Sequence, residues 1–386
     1  MLSSKTYDFI FIGAGCASLS LLMRMLKSSE LREKKFLLIE KEPKTHNDRT
    51  WCFWEKQAGF FEEIVYKKWD HLSFLSDKHT STMDIAPYQY KMIRGVDFYN
   101  YCFNEIRKHP NVEVVYGEVK RMNYNRDSVV LHLNNQEIML WGENRHVFDS
   151  IYKPTETNGK TIRLLQHFKG WVIETKMPAF NPSEAILMDF RVHQDHGTSF
   201  AYVLPFSETS ALVEYTLFTK ELLSQLQYDK ELKNYIQVTL GIKEFMVKEE
   251  EFGVIPMTNE KLSLAGGCKW GWNIGTAGGQ TKASTGYTFQ FIQKQSEQII
   301  DNLLTIKNLN RVPDKPARFR FYDNTLLHIL YHNQLPGKEI FTRLFQKNKP
   351  QQVLRFLDNE SSFGEELKII STLPTWPFLK AAIRQL

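Results

Sequence analysis

The spacing of apolar residues changes along this chain, and each change predicts a different layer of structure. Residues 9–12 are apolar throughout (Phe9-Ile10-Phe11-Ile12). Two glycines follow, Gly13 and Gly15, and a second apolar run, Phe36-Leu37-Leu38-Ile39, ends in Glu40. Short unbroken apolar runs bounded by glycine mark strands buried on both faces, so residues 6–40 predict a β–α–β unit. Residues 96–109 are amphipathic and predict a helix. Residues 112–119 predict a strand, 129–133 and 137–141 a hairpin, and 147–150 a return to the first sheet. From 163 to 218 strand follows strand, at 164–174, 185–191, 198–204 and 212–218. Such a run after a βαβ opening predicts a second, antiparallel sheet inserted into the first domain. Residues 220–240 then read as helix, 252–257 as the return to the first domain, and 262–267 as its last strand. Beyond Thr285 the chain reads as helical to its end, with breaks at Pro313, Pro316, Pro336, Pro350 and Pro374.

The opening unit carries chemistry. Gly13 permits a tight turn, Gly15 lets backbone approach a pyrophosphate at a helix N-terminus, and Glu40 stands where a carboxylate bonds a ribose hydroxyl. The third glycine of the dinucleotide pattern is replaced by the small Ser18. The alternative is a glycine-rich turn in an ordinary βα unit. A second cluster, Gly275-Thr276-Ala277-Gly278-Gly279, precedes the last long helical stretch but lacks Gly-Lys-Ser/Thr, which argues against a nucleotide triphosphatase. It can instead offer backbone N–H groups and a helix end to an anionic cofactor. The candidate cofactor-binding set is therefore Gly13, Ala14, Gly15, Cys16 and Ala17, then Glu40, Lys41 and Arg49, then Gly275, Thr276, Gly278 and Gly279.

Composition narrows the class. With 386 residues, 42% hydrophobic and 24% charged, the chain suits two intertwined globular domains without a disordered arm. A net charge of +5 tolerates an anionic membrane surface, and no basic run suggests nucleic acid. Cys16, Cys52, Cys102 and Cys268 are too scattered for a zinc site or a disulfide framework. His193 and His196 have no third ligand nearby, so no metal is expected. No stretch of about 18 apolar residues exists to span a bilayer, and the chain runs into its first strand without a secretory leader, so a cytoplasmic protein is expected. No Gly-x-Ser-x-Gly elbow points to a serine hydrolase. Glu249-Glu250-Glu251 reads as a solvated face, and Asp149 as either a cofactor contact or a turn cap. On its own strand Glu214 shares a face with Leu212, Thr216 and Phe218. A carboxyl in such apolar company has its pKa raised by desolvation and can hold a proton near neutrality. The alternative is an edge carboxylate in water.

Several segments together resemble the bacterial lycopene beta-cyclase family of carotenoid-ring-forming flavoproteins. They are Gly13-Ala14-Gly15, Arg49-Thr50-Trp51-Cys52-Phe53-Trp54, Gln166-His167-Phe168-Lys169-Gly170-Trp171, and Leu212-Val213-Glu214-Tyr215-Thr216. Further on come Gly253-Val254-Ile255-Pro256-Met257, Thr285-Gly286-Tyr287, and Leu373-Pro374-Thr375-Trp376-Pro377-Phe378-Leu379. The chain departs from the family at Tyr215, where an acidic residue often follows the glutamate. The resemblance implies an α/β (α+β overall) fold: a Rossmann-like FAD-binding domain of the glutathione-reductase/aromatic-hydroxylase type, an inserted antiparallel-sheet substrate domain and a helical C-terminus. The implied segments are 1–160 and 253–305 for the FAD domain, 161–252 for the substrate domain and 306–386 for the C-terminal region. It also implies that lycopene and other acyclic carotenoids are closed to beta rings without net redox change, with Glu214 as the acid–base group. FAD would work in its reduced form with NAD(P)H as electron donor. Trp51, Phe53, Trp54 and Trp171 are the candidates to face the carbocation, the alternative for each being an ordinary core aromatic. A membrane-bound substrate implies peripheral attachment to the inner face of the cell membrane, for which Trp376, Phe378, Leu379, Lys380 and Arg384 are the expected contacts. An FAD-dependent monooxygenase or halogenase on the same fold is the alternative.

Overall fold

The computed structural model describes residues 6–124, 128–134, 136–141, 145–154, 161–266, 270–306, 308–313 and 316–385. Its first sheet is parallel, with strand order Gly271–Asn273, His146–Asp149, Phe9–Ile12, Phe36–Glu40, Val112–Tyr116. The two central strands are buried along their whole length, as their unbroken apolar runs require. The helix Cys16–Lys27 covers one face beside the helix Phe289–Thr305. The antiparallel sheet of Val119–Tyr124, Ser128–Leu133 and Gln136–Trp141 covers the other. This doubly covered parallel sheet is the expected α/β core.

One expected strand moves. Residues 262–266 form no strand of this sheet. They turn back antiparallel on its edge, through an isolated bridge between Ala265 and Trp272 and the bond from Gly266 N–H to Gly271 O. The last strand of the sheet is Gly271–Asn273, and residue 267 lies outside the described residues. A short strand with tryptophan and glycine has a weaker apolar signal than the Leu262-Ser263-Leu264-Ala265 that precedes it.

The second sheet has seven strands, in the order Met246–Thr258, Arg163–Glu174, Ser210–Thr219, Thr198–Pro205, Glu184–Asp189, His71–Ser76, His79–Asp84. The strands expected between 164 and 218 are present and antiparallel. Two further strands, His71–Ser76 and His79–Asp84, come from the segment before residue 160, and the first of them pairs parallel with Glu184–Asp189. One face of this sheet buries Val213, Tyr215 and Leu217 beneath the helix Gln225–Asn234. The other buries Phe200, Leu204, Leu212 and Phe218 against the C-terminal helices Ala317–Tyr331, Gly337–Lys347 and Pro350–Leu357. Those helices start at the prolines that the sequence marks, with Pro316 and Pro336 as caps and Pro350 in the first turn.

Phe74 ties the two added strands to these helices. It is fully buried, and its ring stacks on Phe345 at 4.8 Å. Phe74→Ala is expected to lower unfolding stability by about 3–5 kcal/mol, the usual cost of truncating a core phenylalanine. Urea titration measures it, and a loss below about 1 kcal/mol would mean that the helices do not seal this edge.

Candidate active site

Two glycine loops meet at the carboxyl end of the parallel sheet. Gly13 has φ +86°, and a Cβ there would sit 2.5 Å from Ser150 Oγ, so this turn requires glycine. Gly15 is different: a Cβ built on it meets no protein atom within 4 Å, leaving open space before the helix Cys16–Lys27. No side chain caps that helix, and its first turn holds no acidic residue. The N–H groups of Cys16, Ala17 and Ser18, in the first turn, have no intrahelical acceptor and face the open space in front of Gly15. Glu40, nearly fully buried, accepts from Ala14 N–H at 2.5 Å and from Lys41 N–H at 2.9 Å. Each of its oxygens retains a lone pair for a ribose hydroxyl. The Lys41 side chain points away into a surface ion pair with Glu42, so only its backbone serves this corner.

The second loop contributes shape. Gly275 has φ +61° and packs so closely on the first loop that a Cβ would lie 2.7 Å from that of Ala17. The expectation that this cluster donates N–H groups fails for its glycines. Gly275 donates to Gln295, Gly278 to Ile274 O and Gly279 to Thr276 O, all within the protein. Thr276 and the exposed Arg49 instead line a cavity of about 260 Å³. Asp149 is a turn cap: its carboxylate accepts from Ile151 N–H at 2.9 Å.

The cavity lies between the second sheet, the strand Thr50–Glu55 and the segment 285–289. Trp51, Tyr90, Phe168, Tyr202, Tyr287 and Phe289 give it an aromatic wall. Of the expected aromatic residues only Trp51 reaches it through the main cavity. Phe53 stacks behind Phe289 at 4.4 Å, and Trp54 packs edge-on against Tyr287 at 4.7 Å. Trp171 lies on the opposite face of its sheet, near Phe245. Strand alternation explains this, because Gln166 and Phe168 face the cavity while Trp171 is an odd number of residues away from both. Tyr202 was the legible omission, since it pairs directly with Glu214 in the sheet register.

Glu214 lines the cavity with Leu212, while Val213 and Tyr215 fill the core behind, as the alternation predicts. Facing it is a second carboxyl, Glu251. Both residues register on Gly170 of the strand between them. A Cβ on Gly170 would lie 3.0 Å from Glu251 Cγ and 3.2 Å from its Oε1, so the missing side chain leaves room for the Glu251 carboxyl over the strand that separates it from Glu214. Glu214 Oε1 accepts from Thr216 Oγ1 at 2.5 Å, and Glu251 Oε2 accepts from Thr50 Oγ1 at 2.6 Å. Burial drives the Glu214 carboxyl well above the usual carboxylate range, and the charge of Glu251 pushes it further. Burial also raises Glu251, against the Thr50 hydroxyl, the Glu214 carboxyl and Arg49, which favour its charged form. The expected solvated face therefore holds for Glu249 and Glu250, which are exposed, and fails for Glu251. Directly opposite Gly170, it turns into the site.

The family model "Lycopene cyclase protein" matches residues 8–383 of this chain. No curated protein sequence gives a significant match. Among solved structures, the flavin-dependent brominase Bmp2 superposes with a TM-score of 0.63 at 12% identity, covering 99% of this chain and 100% of that one. A flavoprotein/dehydrogenase from Cytophaga hutchinsonii gives 0.63 at 13% identity, covering 99% and 100%. A geranylgeranyl bacteriochlorophyll reductase-like protein from Thermoplasma acidophilum gives 0.62 at 12%, covering 97% and 98%. At such identities the likeness is one of fold.

The open space before Gly15 yields a separable prediction. Gly15→Val is expected to fold, because a Cβ there meets no protein atom within 4 Å, and to lose the FAD that the family resemblance implies, because it fills the space that a pyrophosphate needs. Flavin absorbance after purification and the melting temperature of the flavin-free protein check both halves. Full flavin occupancy would place the pyrophosphate elsewhere.

Proposed function

This chain belongs to the lycopene cyclase family, and from that premise we propose that it converts the acyclic ends of lycopene to beta rings, giving gamma- and then beta-carotene. The observation that carries the reading is Glu214: a half-buried carboxyl, facing an aromatic-lined cavity and set beside another acid rather than a cation among the described residues. The cyclisation needs a proton delivered to a terminal double bond, attack by the neighbouring double bond on the cation, and loss of a different proton. Glu214 donates the first proton, and its carboxylate takes back the last. Atoms and electrons balance, so the step is an isomerisation. The faces of Trp51, Tyr90, Tyr202 and Tyr287 surround the cation, each worth about 0.5–2 kcal/mol when desolvated. Burial keeps Tyr90, Tyr202 and Tyr287 neutral by raising their pKa values.

The residues present suit FAD. The uncapped helix end behind Gly15 would hold the pyrophosphate, and Glu40 the ribose. Gly275 and Thr276 would lie along the route from that loop to the cavity. Bound and reduced, with NAD(P)H as electron donor, FAD would supply an electron-rich surface beside the site. The alternative, an FAD-dependent monooxygenase or halogenase, shares the fold. Aromatic hydroxylases of that group place an aspartate after a glycine on the last strand; the region expected to match, Leu264-Ala265-Gly266-Gly267, has none, and in the loop after the observed last strand Gly271–Asn273 it is Thr276 that follows Gly275.

A C40 polyene resides in a bilayer, and no described helix is long and apolar enough to cross one. We propose peripheral docking on the inner face of the cell membrane through the last two helices, Phe363–Thr372 and Thr375–Ile383. Trp376, Leu379 and Ile383 are exposed at helical spacing, next to exposed Phe363 and Leu367. Lys380 and Arg384 stand beside them for anionic headgroups. Phe378 differs from the expectation: it packs inward against the core beneath these helices.

In lycopene-accumulating cells the parent protein is expected to yield products of unchanged mass with beta rings. Glu214→Gln is expected to keep its flavin and lose about 10²–10⁴ in rate. An oxygen- or halogen-containing product would overturn the cyclase reading, and a parental rate in the variant would remove Glu214 from the chemistry.

Joint replacement of Trp376, Leu379 and Ile383 by alanine is expected to weaken partitioning onto anionic liposomes by at least about tenfold, since each apolar side chain withdrawn from water contributes about 1.5–3 kcal/mol. Sedimentation with vesicles measures it, and unchanged partitioning would move the membrane face elsewhere.

A further inference from the structure

Around Glu214 every neighbouring element contributes a group: Cys52 and Thr50 from the strand Thr50–Glu55, Tyr90 from Gln89–Arg94, and Tyr202 from Thr198–Pro205. Thr216 lies on its own strand, Tyr287 on the segment after the second glycine loop, and Glu251 on Met246–Thr258. Burial raises the pKa values of Cys52, Tyr90, Tyr202 and Tyr287, so these stay neutral over the working range. Arg49 and Glu249, both exposed, add opposite charges at the rim near Glu251. Among the described residues around the cavity, the pair Glu214 and Glu251 is therefore where a proton can reside or leave near neutral pH.

The two acids are not equivalent. Glu214 lines the cavity, and Glu251 does not. Glu251 Oε2 takes the Thr50 hydroxyl, while its Oε1 is buried with no donor among the described residues. The group that can satisfy Oε1 is the Glu214 carboxyl across Gly170, which donates only when protonated.

Resting on the reading of Glu214 as the acid, we propose that Glu251 is a positioning residue that holds the catalytic proton on Glu214, through a single-proton carboxyl pair closed over Gly170. Neighbouring like charges out of bulk water do not both ionise, so the pair retains one proton; each carboxyl carries one hydroxyl, and the Arg49 charge beside Glu251 leaves that proton on Glu214. Once Glu214 has protonated the terminal double bond, two carboxylates face each other across Gly170. Their repulsion draws the ring proton back to Glu214, which restores the pair. The new C–H bond, the ring bond and the departing proton balance without any electron carrier. The family position at which an acidic residue often follows the glutamate is Tyr215 here, and it faces the opposite core. The partner acid of this cavity comes from a neighbouring strand.

The test is the pH profile of ring formation in lycopene-loaded vesicles, read together with the infrared carbonyl band of the protonated carboxyl, which needs no turnover. Glu251→Gln is expected to move the alkaline limb and the carbonyl titration toward acid by about one to three units, with activity recovering as pH falls. Glu251→Asp retains the charge and is expected to hold the limb within about half a unit of the parent. Gly170→Ala, which wedges a methyl group against Glu251, is expected to shift it in the same direction by less. An unmoved limb and carbonyl titration in Glu251→Gln and Gly170→Ala would overturn the proposal, as would a loss of activity in Glu251→Gln that is equal at every pH. A parent protein that forms no beta rings would instead overturn the cyclase reading, and the infrared titration would still decide whether the pair shares a proton.

Discussion

The constraint on which this structure turns is the partial burial of two carboxyl groups face to face, with no cation between them among the described residues. A lone buried carboxylate is costly, and a second one beside it is more so. The fold accepts this arrangement by supplying hydroxyls, one from Thr216 and one from Thr50, and by leaving out a side chain at Gly170. The aromatic wall, the neutral tyrosines and the segment 285–289 surround the cavity that Glu214 lines and shield the pair from bulk solvent. The pH sign is fixed by the same physics. A carboxyl with a raised folded-state pKa imposes no penalty below its unfolded value, and the fold loses stability as pH rises through the folded one. The arrangement is thus least strained when it holds its proton.

Much of the fold was legible because local signals and global packing agree. The unbroken apolar runs at Phe9–Ile12 and Phe36–Glu40 could only be central parallel strands, and the prolines near 316, 336 and 350 start helices where they stand. The strands His71–Ser76 and His79–Asp84 escaped. Their buried Leu72, Phe74 and Met83 sit among serines, histidines and threonines, and a parallel pairing with a strand more than a hundred residues away leaves no local trace. Trp376 and Phe378 show the same limit at the level of one helix, where the direction of a side chain depends on what lies beneath it.

At the site, Glu214 was readable from its own strand, because Leu212 and Thr216 fix which face it shares. Glu251 was not. Three glutamates in succession signal solvent, and two of them do face it. What turns the third inward is its register on Gly170, a relation between strands that no single segment contains. The aromatic residues followed the same rule. Those adjacent in sequence to a recognised motif, Phe53, Trp54 and Trp171, went into cores, while Tyr202, directly across from Glu214, faces the cavity.

The strands His71–Ser76 and His79–Asp84 carry a consequence for how the protein is maintained. They leave the cofactor half of the chain, complete the edge of the other sheet, and the chain then returns through the helix Gly95–Ile106 to the parallel strand Val112–Tyr116. The chain thus crosses between the two sheets, and this topology favours their folding as one cooperative unit. Free energy gained by filling the cradle at Gly15 is then spread over the whole chain, including the distant C-terminal helices, by mass action. Flavin supply would in that case set how much folded protein a cell keeps, as well as how fast each copy works.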